Sequence, residues 1–140
     1  LTPERFLGAH MSVAGGFAAA VERAQSVGAT ALQIFTSSSN QWHAKPVEEV
    51  DAEAFKAARA EAGIRYAFAH DSYLINVGSP ETTLWKRSTT ALQREHERAE
   101  ALGLDFVVMH PGSHVGSGEE AAIARIAEGI NDVHARTPGF

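Results

Sequence analysis

Three histidines each close an apolar stretch. Phe106-Val107-Val108-Met109-His110 runs into Pro111-Gly112-Ser113-His114, Tyr66-Ala67-Phe68-Ala69-His70 into Asp71-Ser72, and Phe6-Leu7-Gly8-Ala9-His10 into Met11-Ser12. An apolar run without alternation reads as a strand covered on both faces, and the polar, Gly- or Pro-bearing residues behind it as a loop. In parallel α/β folds ligands bind at the carboxyl ends of the strands, which is where these imidazoles would gather. His70 and His110, on adjacent strands, could then share one metal ion. Imidazole suits zinc, and a divalent ion beside an anionic substrate activates water. The alternative at the level of spacing is a pair of hydrogen-bonded core histidines. Two nitrogens are too few for a zinc site, so His10, His114 or another part of the protein would have to complete it. His10 is read as a supporting or substrate-contacting group. His114, beyond Pro-Gly-Ser, is free to reach back or to face solvent. Of the rest, His96 is read as helix packing, and His43 and His134 as surface residues.

Composition narrows the chemistry. The 140 residues suit one domain with a sizeable core, 44% of them hydrophobic and 21% charged. The absence of cysteine excludes disulfides and thiolate sites, leaving His, Asp and Glu as ligands. No apolar run has the length to cross a bilayer, and the first residues do not lead into a signal-peptide core, so a cytoplasmic location is expected. The formal net charge of −5 argues against a nonspecific nucleic-acid coat protein. The acids fall mainly on expected helices. The four loops behind the expected strands contain one, Asp71, a candidate supporting group beside His70. The face those loops form could accept an anion.

The elements that position these loops alternate. Strands are expected at Phe6–Ala9, Ala31–Phe35, Ile64–Ala69 and Phe106–Met109. Helices are expected from Ser12, as cap, to about Ser26, from about Val47 to Ala62, from about Glu81 to Ala101, and from Ser117 or Gly118 to about Ala135. Their inward faces carry Val13, Phe17, Val21 and Ala24, then Val50, Phe55 and Ala58. The third carries Trp85, Leu92, His96 and Ala99, and the last Ile123, Ile126, Ile130 and Val133. Thr36–Pro46 is a longer loop than a connection needs, and Tyr73, Leu74, Ile75 and Val77 make the loop after His70 unusually apolar. Tyr73 and Leu74 could wedge between nucleic-acid bases or cover the barrel end, and Trp42 could stack on a base or anchor its loop. Ala14-Gly15-Gly16 at a helix start is a weak phosphate-cradle signal. No P-loop, dinucleotide fingerprint or Ser-His-Asp order occurs. Four βα units imply a parallel sheet with right-handed crossovers, either a small doubly wound sheet or half of a TIM-type (β/α) barrel of about 250 residues. Chemistry at the end of every strand favours the half-barrel, with two unpaired edges and an inner face lacking its opposite wall.

Four motifs, one behind each strand, resemble the endonuclease IV family of apurinic/apyrimidinic endonucleases. They are Gly8-Ala9-His10-Met11-Ser12-Val13-Ala14-Gly15-Gly16, Phe35-Thr36 with Gln41-Trp42, His70-Asp71-Ser72-Tyr73-Leu74-Ile75-Asn76, and His110-Pro111-Gly112-Ser113-His114. The resemblance covers nearly the whole chain but about the first half of the family's domain. It implies a xylose isomerase-like TIM barrel holding three zinc ions, which hydrolyses DNA 5′ to abasic sites with a metal-activated hydroxide. It implies His70 and His110 as ligands of one zinc, and Tyr73 and Leu74 as residues entering the duplex. Asn40 stands where the second-strand loop usually carries an arginine, and Trp42 follows in the same loop. The family's bridging glutamate belongs to a fifth strand, so residues 1–140 are expected to be an amino-terminal half, truncated before strand five, with a partial metal site and little activity alone. Two other readings stand beside this one: a metal-dependent sugar isomerase or epimerase on the same barrel, and a non-catalytic half-barrel that self-associates through its exposed edges.

Overall fold

The structure, a computed structural model, describes residues 5–140. Strands β1 (Gly8–His10), β2 (Ala31–Phe35), β3 (Tyr66–His70) and β4 (Val107–Val108) alternate with helices α1 (Phe17–Ser26), α2 (Glu49–Ala62), α3 (Thr82–Leu102) and α4 (Glu119–Arg136). All three strand pairings are parallel, and the sheet order follows the chain, β1-β2-β3-β4. A doubly wound sheet reverses its strand order at a switch point; this one does not. The winding is that of a TIM barrel carried through four βα units.

Burial alternates along the strands. Leu32, Ile34, Ala67 and Ala69 are wholly buried against the helices. The residues between them, Gln33, Phe35 and Phe68, are only half-buried, and Tyr66 and Phe106 are exposed. The local pattern's expectation of strands covered on both faces is therefore corrected, while the half-barrel's inner face, lacking its opposite wall, is as expected. One face packs on helices, and the other lines an open concavity of about 520 Å³ bounded by Phe6, His10, Gln33, Tyr66, Phe68 and Phe106. The apolar character of that face suits a barrel interior, which the four strands do not close.

Small residues let the helices lie close to the sheet. Ala20, Val21 and Ala24 of α1, Ala52 and Phe55 of α2, and Ala99 and Leu102 of α3 form one core with the buried strand residues. A second cluster, Ile75, Val77, Leu92 and Val133, lies between the loop after β3 and helices α3 and α4. Trp85 is buried there too, and its indole N–H donates to the Arg125 carbonyl at 3.2 Å. Phe55, without exposed surface, is the side chain whose truncation to alanine would cost most, about 3–5 kcal/mol.

Three local expectations fail for identifiable reasons. Helix α1 starts at Phe17 rather than near Ser12, because Gly15 and Gly16 hold φ of 87° and 111°, outside the helical region. The Ser12 hydroxyl accepts the Ala14 N–H instead, and the Ser12 and Ala14 carbonyls receive the Arg23 guanidinium. Val50 and Ile123 are 75% and 66% exposed, because the buried stripes run through Ala52 and Phe55 in α2 and through Ala122, Gly129 and Val133 in α4. Among the described residues no helix is long and apolar enough to cross a membrane.

His96, expected as packing, is buried on α3. Thr137 donates its hydroxyl to the Val133 carbonyl, so its oxygen accepts the His96 Nδ1–H at 3.3 Å. Burial, then the neighbouring His134 imidazole, pushes His96 down to about 4. The unfolded chain binds a proton there below about 6.5 that the folded chain refuses. Stability is thus full above that pH and is lost as pH falls towards 4, by up to about 3 kcal/mol. Urea unfolding at pH 7.5 and pH 5 should show this loss in the wild type and little of it in His96→Gln. Equal losses in both proteins would remove His96 as its source.

Candidate functional site at the carboxyl end of the sheet

Strand register decides which side chains meet. Phe35 pairs with His70 and His70 with Val108, while His10 pairs one step lower with Gln33. His110 lies two residues beyond Val108. Since side chains alternate, His10, Phe35, His70 and His110 all project from the concave face, with Phe35 and His70 level, His10 one step below and His110 one step above. The rings form a chain of contacts. His70 and His110 centroids are 5.0 Å apart, and Tyr73 lies 6.0 Å from each. Phe35 stands 5.7 Å from His70, 5.6 Å from Tyr73 and 4.4 Å from His10, separating His10 from the pair.

Hydrogen bonds fix which nitrogen His70, His10 and His114 offer. His70 Nδ1 lies 2.9 Å from the Asp71 carbonyl, which can only accept, so Nδ1 carries the proton and Nε2 keeps a free lone pair. Metal-ligating histidines are held this way. His10 is the reverse: its Nδ1 accepts the Gln33 amide at 2.7 Å, leaving Nε2–H as a donor. Partial burial, then the nearby His70, keeps His10 below the usual imidazole value. His114 Nδ1 likewise accepts the Gly116 N–H at 3.0 Å and faces the Gly118 N–H at 3.4 Å. That histidine shapes the turn before α4 and does not reach back with a free lone pair. His70 and His110 are thus the two brought together. Among the described residues no three His, Asp or Glu are grouped to hold a metal.

Asp71 lies beneath this pair. Its carboxylate is wholly buried, 3.5 Å from His70 Nδ1, and neither oxygen has a hydrogen-bond partner. Burial pushes its carboxyl up to about 7; the His110 main-chain N–H leans towards it and opposes the rise, and Glu95 adds to it. An orphaned buried carboxyl costs free energy, and such groups collect where chemistry is done.

The loops around the pair are stitched together. The Ser39 carbonyl accepts both the Ser72 hydroxyl at 2.7 Å and the Tyr73 N–H at 3.1 Å, joining the loop after β2 to the loop after β3. The Asn76 side chain joins the latter to the loop after β4. Its Oδ1 accepts the Gly78 and Ser113 N–H groups at 3.0 and 2.9 Å, and its Nδ2 donates to the Ser113 carbonyl at 3.1 Å. Only glycine fits at 112, where φ is 105° and a Cβ would collide with Asn76 Oδ1. Lower down, the buried Glu95 carboxylate accepts the Thr36 and Ser37 hydroxyls, and Arg98 donates to Thr36 at 3.0 Å. The loop after β3 does both things its apolar residues allow. Ile75 and Val77 enter the core, while Tyr73 stays 60% exposed with Leu74 half-buried beside it. Asn40 is exposed, and Trp42 lies under the Arg87 guanidinium at 4.2 Å.

Phe35, Asn76, Glu95 and Arg98 were not picked out as site residues by sequence. Asn76 stands in the block that begins at His70, and Gly78 two residues on is the local signal of an Asn side chain turning back on its own main chain. Glu95 is 59 residues from Thr36, and nothing local joins them.

Known proteins share this fold. The sequence profile of the family described as xylose isomerase-like TIM barrel matches residues 21–140. The chain belongs to that family. It is 44% identical over 134 residues to the probable endonuclease 4 of Citrifermentans bemidjiense, covering 96% of this chain and 47% of the relative. It is 43% identical over 135 residues to the probable endonuclease 4 of Geobacter sulfurreducens, covering 96% and 46%. It superimposes on the crystal structure of endonuclease IV from Thermus thermophilus with a TM-score of 0.85 and 37% identity, over 96% of this chain and 48% of that one. Likeness to a D-psicose 3-epimerase, TM-score 0.68 at 14% identity, shows the fold alone. Within the family the chain therefore resembles the amino-terminal half of endonuclease IV proteins, and it spans about half the length of the curated relatives it matches.

Asn76→Ala should unfasten the loop after β4. Loss of these bonds should cost about 1–3 kcal/mol. The Ser113 amide should exchange with solvent at least ten-fold faster, while the Leu32 amide keeps its protection up to global unfolding. Unchanged exchange at Ser113 would show that the amide bridge does not hold the loop.

Proposed function

We propose that this chain carries the first part of an endonuclease IV-type DNA-repair site, one that hydrolyses the phosphodiester 5′ to an abasic site in duplex DNA. The observation that carries the proposal is the pairing of His70 and His110, 5.0 Å apart, with an exposed tyrosine 6.0 Å from both. A candidate metal pair and a ring free to stack in a helix thereby share one rim. The geometry fits a metal: His70 Nε2 has a free lone pair, and an orphaned carboxyl lies behind its Nδ1. His70 and His110 would hold a divalent ion, zinc by ligand type, and the bound ion would supply activated water for phosphodiester hydrolysis. Two imidazoles make half of a tetrahedral set, so binding by these residues alone is weak.

The chain's other residues position the substrate. Tyr73 and Leu74 lie at the rim, where they can fill the gap left by a missing base, stacking against its neighbours. Asn40 and Trp42 flank the same rim on the loop tied to Tyr73 through Ser39. Asn40 is neutral, so it would donate hydrogen bonds to the backbone without adding charge. The exposed His10 ring keeps its Nε2–H as a donor suited to a phosphate oxygen.

Two measurements test this reading. Cobalt or zinc titration should detect one weak site, lost in His70→Ala and in His110→Ala with the fold intact by circular dichroism. Fluorescence anisotropy with an abasic-site duplex should show tighter binding than to the intact duplex. Tyr73→Ala should cost about 1–3 kcal/mol on the abasic duplex, roughly ten-fold in affinity, and little on the intact one. Cleavage by the 140-residue chain should be slight. Equal binding of both duplexes by the wild type would sink the proposal. The uncovered concave face, with Tyr66, Phe68 and Phe106 on it, supports self-association as a second property; a compact monomer in sedimentation equilibrium would discard it.

A further inference from the structure

A groove beside the site concentrates positive charge on an acidic protein. Its upper part, about 470 Å³, is lined by Trp42, His43, Lys86, Arg87, Thr90 and Arg94, with no acid among them. Its lower part, about 340 Å³, continues past His43 and Arg94 to Lys45, with Glu97 at the far end. Among the described residues Lys45, Lys86, Arg87 and Arg94 take part in no ion pair, whereas Lys56, Arg59, Arg125 and Arg136 each have a carboxylate partner. The two nearby acids are otherwise engaged. Glu95 is buried against Thr36 and Ser37, and Glu97 accepts the Gln93 amide at 2.7 Å.

The arrangement is ordered. Lys86, Thr90 and Arg94 recur every four residues and so share one face of α3, a row about 12 Å long. Arg87 stacks on Trp42 at 4.2 Å, which fixes its plane while leaving its N–H edge free. A row of cations with free donors and no partners matches a polyanion with regularly spaced charges. A DNA strand advances about 3.4 Å per phosphate, so the row spans three to four nucleotides. The position favours DNA over an unrelated polyanion. The wall formed by residues 42–47 belongs to the loop whose Ser39 carbonyl holds Ser72 and Tyr73, and Lys86 and Arg87 lie in the second turn of α3, at the rim of the proposed site.

We propose that this groove binds the phosphodiester backbone of duplex DNA flanking the rim, through Lys45, Lys86, Arg87 and Arg94. The choice of ligand rests on the DNA-repair reading; the groove's capacity for a polyanion does not. It is a sequence-independent grip, separate from recognition of the lesion by Tyr73 and Leu74.

The test uses the 140-residue chain and fluorescein-labelled 20-base-pair duplexes, with and without an abasic site, across a salt series. Each phosphate contact contributes about 0.9 to the slope of log affinity against log salt. Lys86→Gln/Arg87→Gln/Arg94→Gln should bind both duplexes at least ten-fold more weakly near 0.1 M salt, with the slope reduced by about 2 to 3. Lys56→Gln, a matched control on α2, should change neither. The triple variant should keep the ratio between the two duplexes, because it leaves the rim intact. Wild-type affinity and slope in the triple variant would overturn the groove. So would a selective loss on the abasic duplex, which would assign these cations to the lesion. A wild type that binds both duplexes alike, yet loses both in the triple variant, would support the groove while refuting the repair reading. Unchanged melting temperature verifies that the triple variant folds.

Discussion

The register of one parallel ladder governs this molecule. Because Phe35, His70 and Val108 lie side by side, the imidazoles at 70 and 110 project from the same face, and His110 stands one step higher. A one-residue slip would turn either histidine into the helical layer. What opposes the slip is the other face. Leu32, Ile34, Ala67 and Ala69 are sealed against α1, α2 and α3, and moving any of these strands by one residue would put Gln33, Phe68 or His70 there instead. The apolar core thus secures a polar outcome: it is the burial of alanines and isoleucine beneath the helices that sets the imidazole spacing on top.

Register alone leaves the loops free, and a second set of interactions removes that freedom. The Ser39 carbonyl and the Asn76 amide are each shared between neighbouring loops, so three successive βα connections are linked at their tips. Each bond is worth about 1 kcal/mol, but all act on backbone that would otherwise be solvated and mobile. Their effect is positional. Tyr73 keeps its distance from both histidines although it stands on a loop and they close strands. The Glu95–Thr36–Ser37–Arg98 cluster does the same for the base of the loop after β2. Burial lowers the Arg98 guanidinium value, and the neighbouring Glu95 carboxylate opposes that shift. A buried polar cluster of this kind, joined through the Thr36 hydroxyl, specifies geometry better than it adds stability.

Much of this was legible in the chain because it is written locally. Each strand ends in His or Phe and then a turn, each helix carries its apolar stripe, and the element order follows from those signals. The histidine pair was legible because neighbouring parallel strands bring their carboxyl ends to one side of the sheet. The open sheet face was legible from the count of βα units and not from its residues, since a barrel interior is as apolar as a helix interface, and Phe68 or Phe106 looks the same in either place. Other features were not, for physical reasons. The start of α1 hid behind Ser12, a good cap whose claim is overridden by two glycines at positive φ. The buried stripe of α4 drifted by one residue because Gly129, lacking a side chain, is what packs beneath Val77, Thr89 and Trp85. Contacts such as Thr36 with Glu95 join segments about sixty residues apart and leave no local trace.

His10 and His70 close strands and His114 stands in the loop after β4, and their hydrogen bonds make the three chemically different. A carbonyl oxygen can only accept, and a main-chain N–H or an amide N–H can only donate. His70 faces a carbonyl and so keeps an unprotonated Nε2, whereas His10 and His114 face donors and keep an Nε2–H. One face can therefore offer a lone pair at His70 and an N–H at His10 without any change of protonation. Phe35 stands between the two rings and keeps them apart. Burial, then the nearby His70, holds His10 below the usual imidazole value, which favours its neutral ring. One residue type thus supplies opposite polarities, through nothing more than the identity of the atom each Nδ1 meets.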